Sequence, residues 1–142
     1  MRILGLDVGD KTIGVAVCDE LGITAQALKT IRRKAISSDL NALDEIIREY
    51  EAECLVIGIP INMNGTLGPA ARKVMNFAEK LKVFNIPVIA QDERLTTMMA
   101  EKIMIQGDVR REKRKKVIDQ VAAALILQGY LDRRAREHKD EI

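Results

Sequence analysis

Apolar residues in the first eighteen positions fall into two short runs, Ile3-Leu4-Gly5-Leu6-Asp7-Val8-Gly9 and Thr12-Ile13-Gly14-Val15-Ala16-Val17-Cys18, with Asp10-Lys11 between them. Runs of this length joined by a short polar link that contains glycine predict two antiparallel strands in a hairpin. A weaker third strand is predicted from Thr24 to Ile31, ended by Arg32-Arg33-Lys34. The period then changes. Leu40, Leu43, Ile46, Ile47 and Tyr50 recur at helical spacing after Ser37-Ser38-Asp39, which reads as an N-cap, so an amphipathic helix is expected from about 39 to 52.

Cys54 to Pro60 is continuously apolar, as in a strand buried on both faces. A polar loop follows from Ile61 to Gly68, and Pro69 suits the first turn of a helix whose inner face carries Ala70, Val74, Phe77, Ala78 and Leu81. Ile86 to Gln91 predicts another short strand, ending at Asp92-Glu93-Arg94. A helix is expected from Thr96 or Thr97 to near Gly107. The charged segment Asp108 to Lys116 then leads into a last helix, Lys116 to Ala135. The charged tail, 136–142, is expected to fray. No repeat or linker divides the chain, so residues 1–142 read as one domain. Three hairpin strands followed by strand–helix alternation predict a mixed α/β sheet with helices on its faces.

Against this pattern three acidic positions stand out. Asp7 interrupts an apolar strand, where a carboxylate needs a cation, a donor or a metal, although an Asp also suits a hairpin corner. Gly5, Gly9 and Gly14 remove bulk around it, which admits a backbone or a phosphate. Asp119 heads the stripe Asp119, Ala122, Ala123, Ile126, Tyr130 of the last helix, a small-residue face suited to close packing on a sheet. Asp92 and Glu93 close the last strand and point to opposite sides, so one of the two at most faces a given crevice. Open α/β sheets bind ligands at the carboxyl ends of their strands, where Asp7, Pro60 and Asp92-Glu93 all lie. Converging carboxylates there would bind Mg²⁺ or Mn²⁺, up to two ions, and would suit metal-assisted phosphodiester hydrolysis.

Composition narrows the alternatives. Hydrophobic residues at 47% and charged residues at 31% describe a globular chain, and 3% aromatics with no Trp argue against base stacking as the main mode of binding. The sole histidine, His138, sits in the charged tail, so no Ser-His-Asp or Cys-His arrangement has a rigid base. Gly65-Thr66-Leu67-Gly68 lacks the Lys-Ser/Thr of a phosphate-binding loop. Cys18 and Cys54 lie in apolar runs as small hydrophobes, and with no signal peptide or membrane-spanning run the expected setting is the cytoplasm.

The net charge of +2 is too small by itself to imply nucleic acid, and its local distribution matters more. Arg110-Arg111-Glu112-Lys113-Arg114-Lys115-Lys116 places six cations beside the helix that bears Asp119, as a phosphate backbone requires. Lys11 and Arg94 are expected to extend this patch, and Asn64 in the polar loop offers an amide for positioning a strand.

The chain resembles the YqgF/RuvX family over nearly its full length. The resemblance is carried by Gly5-Leu6-Asp7-Val8-Gly9 with Lys11 and Ile13-Gly14-Val15-Ala16, and by Gly58-Ile59-Pro60 with Met63-Asn64-Gly65. It continues through Asp92-Glu93-Arg94-Leu95-Thr96-Thr97 and Lys116 with Asp119, Ala122-Ala123 and Ile126-Leu127-Gln128. The resemblance implies an RNase H-like fold: a mixed five-stranded sheet, three antiparallel strands then two parallel, flanked by helices. It implies a Holliday junction resolvase-like nuclease, linked to processing the 5′ end of precursor 16S ribosomal RNA in the bacterial cytoplasm. Asp7, Glu93 and Asp119 become the expected catalytic and metal-binding set, with Asp92 as the alternative to Glu93. One departure from better-known resolvases is that their second carboxylate leaves the fourth strand, which here ends Ile59-Pro60-Ile61-Asn62. Position 18, often Ser in relatives, is Cys.

Three function classes follow. The first is a metal-dependent endonuclease on structured RNA or branched DNA, with pre-ribosomal particles as partners and a monomer or homodimer as the acting form. The second is a non-catalytic RNA- or ribosome-binding factor. The third is a sugar or acetate kinase, suggested by Asp7-Val8-Gly9 after a strand, which normally needs two such lobes.

Overall fold

A computed structural model of the chain describes residues 2–92 and 111–140, with side chains described for 2–92 and 121–137. Five strands form one sheet in the order β3-β2-β1-β4-β5. They are β1 (Arg2–Val8), β2 (Thr12–Cys18), β3 (Ala25–Arg32), β4 (Ala52–Ile59) and β5 (Val88–Asp92). β1, β2 and β3 pair antiparallel, while β4 runs parallel to both β1 and β5. This is the mixed sheet expected from the hydrophobic pattern. Because β3 reverses the direction of β2, its last residues reach the same edge as the ends of β1, β4 and β5.

The two faces of the sheet follow from the period of two. Leu4 and Leu6 of β1, Ile13, Val15 and Val17 of β2, and Leu55, Ile57 and Ile59 of β4 enter one core with α1 (Ile36–Tyr50) and α2 (Pro69–Lys80). Ile3, Ala16, Cys18, Cys54 and Val56 enter a second core with Ala123, Ile126, Leu127 and Leu131 of α3 (Arg111–Asp140). β4 therefore has helices on both sides, which is why its sequence shows no polar alternation except Glu53.

Two helices differ from the sequence expectation at both ends. α1 begins at Ile36, inside the segment read as its cap. The Ser38 hydroxyl accepts from the Ala35 N–H at 3.2 Å and donates to the Ala35 carbonyl at 2.9 Å, so it reaches back from within the first turn. Asp39 is likewise inside the helix. The helix ends at Tyr50, with Glu51 left-handed at φ 50°. α3 begins by Arg111 and continues to Asp140, beyond the expected 116–135. Arg111 to Lys116 is therefore helix, not a segment before it. Arg, Lys and Glu are strong helix formers, and their charge does not break the turn. The face packed on the sheet is Ala123, Ile126, Leu127 and Leu131, which keeps Ala123 and Ile126 of the expected stripe and leaves Ala122 half-buried.

The expected helix from 96 to 107 lies outside the described residues. Among the described residues no helix is long and apolar enough to cross a membrane.

Candidate active site

Asp7 is the next-to-last residue of β1 and is half-buried. It shares the parity of Ile3 and Gly5, so it faces α3. Its partner in β2 is Gly14, and the step after the Leu6–Ile57 pair sets it beside Gly58 of β4. Gly58 in turn pairs with Gln91 of β5. The row Gly14, Asp7, Gly58, Gln91 thus crosses the sheet at its carboxyl edge with the carboxylate between two residues that have no side chain. Neither sheet neighbour of Asp7 contributes side-chain bulk, a property written in the sequence.

Gly5 serves the first of its two expected uses, the close approach of a backbone. A Cβ there would lie 2.7 Å from Leu127 Cβ and 2.8 Å from the Ala123 carbonyl oxygen. The backbone that approaches is that of α3, not a phosphate. This contact also fixes the direction of α3. Leu131 meets Ile3 along one cavity wall, Leu127 and Ala123 meet Gly5, and so the helix backbone runs N-terminally toward the Asp7 end of β1. Position 119 is one further turn along, about 6 Å at 1.5 Å per residue. Asp7 is two strand residues past Gly5, about 6.7 Å.

The register separates the adjacent acids. Ile89 packs in the α3 core, and Gly129 of α3 is where an added Cβ would come within 3.2 Å of Gln91 Nε2, so odd positions of β5 face α3. Asp92 pairs with Ile59, a residue of the opposite core, and takes the opposite face. Glu93 and Arg94 lie outside the described residues, as does Arg110. Asp119, Arg111, Lys113, Arg114, Lys115 and Lys116 are placed as helix backbone, and their side chains lie outside the description. Among the described residues no three His, Cys, Asp or Glu side chains gather as metal ligands.

Two other expected residues are described. Lys11 is exposed in the β1–β2 turn. Asn64 is exposed, but its Oδ1 accepts from Thr66 N at 3.1 Å and Thr66 Oγ1 at 2.6 Å, closing the loop that Gly65 turns at φ 86°. Its oxygen builds the turn, which leaves the amide N–H₂ as the group it can offer a ligand.

Two features of this edge were missed in the sequence. Gln91 Oε1 is buried with no hydrogen-bond partner among the described residues, one register step across Gly58 from Asp7. Asp39, 3% exposed, accepts from Arg33 Nε and the Lys34 N–H, each at 3.1 Å. A run of three cations between a strand and a helix was the available signal for the second, and it reads equally as a strand terminator.

The comparisons with known proteins agree with this architecture. The family model described as "RuvX: Holliday junction resolvase" matches residues 1–133. A protein of Desulforamulus reducens described as a candidate pre-16S rRNA nuclease is 58% identical over 137 residues, covering 96% of this chain and all of that one. A relative from Symbiobacterium thermophilum with the same description is 58% identical over 136 residues, covering 95% of this chain and 94% of its own. Among solved structures, Thermus thermophilus RuvC in complex with a Holliday junction substrate superposes with a TM-score of 0.59 at 15% identity, over 95% of this chain and 96% of that one. The fowlpox virus Holliday junction resolvase gives 0.53 at 16% identity, over 93% and 99%. At these identities the two structures bear on the fold alone.

Proposed function

The chain belongs to the RuvX Holliday junction resolvase family, and from that premise we propose that it is an endonuclease that hydrolyses phosphodiester bonds in structured nucleic acid, with the 5′ end of precursor 16S rRNA as its principal substrate in the cytoplasm. The observation that carries the reading is Asp7, half-buried at the carboxyl edge of the sheet on a floor bared by Gly14 and Gly58. The name shared by the relatives supports the RNA substrate. The family description favours a second reading, resolution of branched DNA.

Asp7, Glu93 and Asp119 are the proposed site. The direction of α3 supports the pairing of Asp7 with Asp119, since strand and helix advance together past Gly5. The parity of β5 argues against Asp92, which takes the face opposite Gln91 and Asp7 and so leaves Glu93 as the proposed ligand. The donors are all oxygen, which fits Mg²⁺ or Mn²⁺. When bound, the ion would supply positive charge to the reacting phosphate. The chain's own part is to hold Asp7 on rigid sheet, to keep the space beside it clear through Gly14 and Gly58, and to align the backbone phosphates through Lys11 and the cations of α3, Arg111, Lys113, Arg114, Lys115 and Lys116, with Arg94 and Arg110 nearby in sequence. Asn64 would add a neutral contact from the facing loop.

The test is cleavage by the purified protein of a precursor 16S rRNA leader and of a four-way DNA junction, each with Mg²⁺ or Mn²⁺. The wild type is expected to cut the leader, chelation to stop it, and Asp7→Asn to lower the rate at least about 100-fold, since even the partners of metal ligands are worth 10–100-fold. Cleavage of the junction alone would establish the DNA reading, and undiminished cleavage by Asp7→Asn would remove Asp7 from the site.

A further inference from the structure

We infer that the carboxyl edge carries a second phosphate-binding track, on the β3–α2 side of the β1–β2 turn, formed by Lys11, Arg32, Lys34 and Lys73 around a fixed Arg33. It rests on the nuclease reading and identifies the surface over which the nucleic acid passes on the side away from α3.

The fold gathers these residues from three places. Arg32, the last residue of β3, pairs with Thr12, and the Arg33 N–H donates to the Lys11 carbonyl at 2.9 Å. The end of β3 therefore lies against the β1–β2 turn, two residues beyond Asp7. From the first half of α2, Lys73 joins Arg33 in lining a cavity of about 180 Å³ whose other walls include Val8, Gly9, Asp10 and Pro60.

Arg33 is held from several sides. Its Nε donates to Asp39 at 3.1 Å, its Nη1 donates to the Gly9 carbonyl at 2.8 Å, and its guanidinium lies 5.0 Å from the centre of the Phe77 ring. A guanidinium has five N–H donors, and no described residue engages the other three. A side chain already fixed loses little further freedom when it meets a phosphate.

The surrounding charge is unbalanced. Lys11, Arg32 and Lys34 are exposed, and none has an acidic partner among the described residues. Asp39 offsets Arg33, and Asp10 is the only carboxylate lining the cavity among the described residues. Its contact with Lys73 is 3.5 Å between side chains 68% and 79% exposed, a pairing that water and salt weaken and a phosphate can replace. Like charges crowded on one edge cost stability, and an anionic polymer is the ligand that offsets that cost. The spread of cations along the edge, with no exposed aromatic among the described residues there, fits successive backbone phosphates and not bases.

Arg33 is unsuited to the first test, because its loss would strand the buried Asp39 carboxylate. The exposed triple variant Arg32→Gln/Lys34→Gln/Lys73→Gln avoids that problem. A control of equal charge, Arg48→Gln/Lys80→Gln/Lys82→Gln, removes cations from the opposite ends of α1 and α2 and from the turn that follows α2. Fluorescence anisotropy on a labelled precursor-rRNA leader and a labelled four-way DNA junction, over a salt series, gives affinity and its salt slope. The track variant is expected to lose roughly 2 from the magnitude of the log–log slope, at about 0.7–0.9 per phosphate contact, and at least about tenfold in affinity near 0.1 M salt, with the control unchanged. Loss on one substrate only identifies the polymer the track serves. Wild-type slope and affinity in the track variant on both substrates would overturn the track while leaving the nuclease reading intact. A wild-type protein that binds neither substrate would overturn both.

Discussion

Asp7 and Asp19 both lie at strand ends, and their surroundings give them different work. Asp7 lies in the sheet between Gly14 and Gly58, which place no side chain of their own beside it. Asp19 follows β2 and spends one oxygen on its own turn, accepting from the Ile23 N–H at 2.7 Å and the Thr24 N–H at 3.1 Å. Those backbone donors, Ile23 first, hold its carboxyl below the usual carboxylate range. The folded value thus lies beneath the unfolded one, so the turn's contribution is present above the ordinary carboxylate pKa and is lost as pH falls through the folded value. Asp19→Asn keeps an acceptor but not the charge. Melting curves across pH should show the variant less stable than wild type at pH 7, with the gap closing below about pH 4. A gap independent of pH would mean that charge plays no part in the turn. At this scale Asp7 was legible because a carboxylate breaks an apolar run. Asp39 was not, since a buried first-turn Asp and a solvated one look alike until Arg33 folds onto it.

Among the elements, the strands were the most legible, because alternation and continuous apolar runs map directly onto one-face and two-face burial. Helix starts were not. Ser38 and Asp39 look like caps but act from inside α1, and the cation run before Lys116 looks like a loop but extends α3. Gly5 shows the same limit, since its need to be glycine comes from α3, more than 100 positions away. Gly5→Ala would press a methyl group against Leu127 Cβ and the Ala123 carbonyl at distances real Cβ atoms do not adopt. Neither contact is a flexible chain end, so a loss of about 2–3 kcal/mol is expected, as for overpacked cores. Urea unfolding measures it. A wild-type midpoint would show that α3 can shift without cost and would weaken the argument that Gly5 sets its direction.

For the whole molecule, the order β3-β2-β1-β4-β5 places the ends of four strands along one edge, where Asp7, Lys11 and Arg32 lie. The sequence made the sheet legible, while the mutual placement of its carboxylates depends on register and helix direction, which no local pattern encodes. The central claim is that Asp7 belongs to one metal site with Glu93 and Asp119, and that Asp92, on the other face of β5, does not. Titration of the full chain with Mn²⁺, followed by electron paramagnetic resonance of the free ion, tests it without relying on activity. The account predicts saturable binding by wild type and by Asp92→Asn, weakened at least about tenfold in Asp7→Asn, Glu93→Gln and Asp119→Asn alike. Wild-type Mn²⁺ affinity in Asp7→Asn would contradict it.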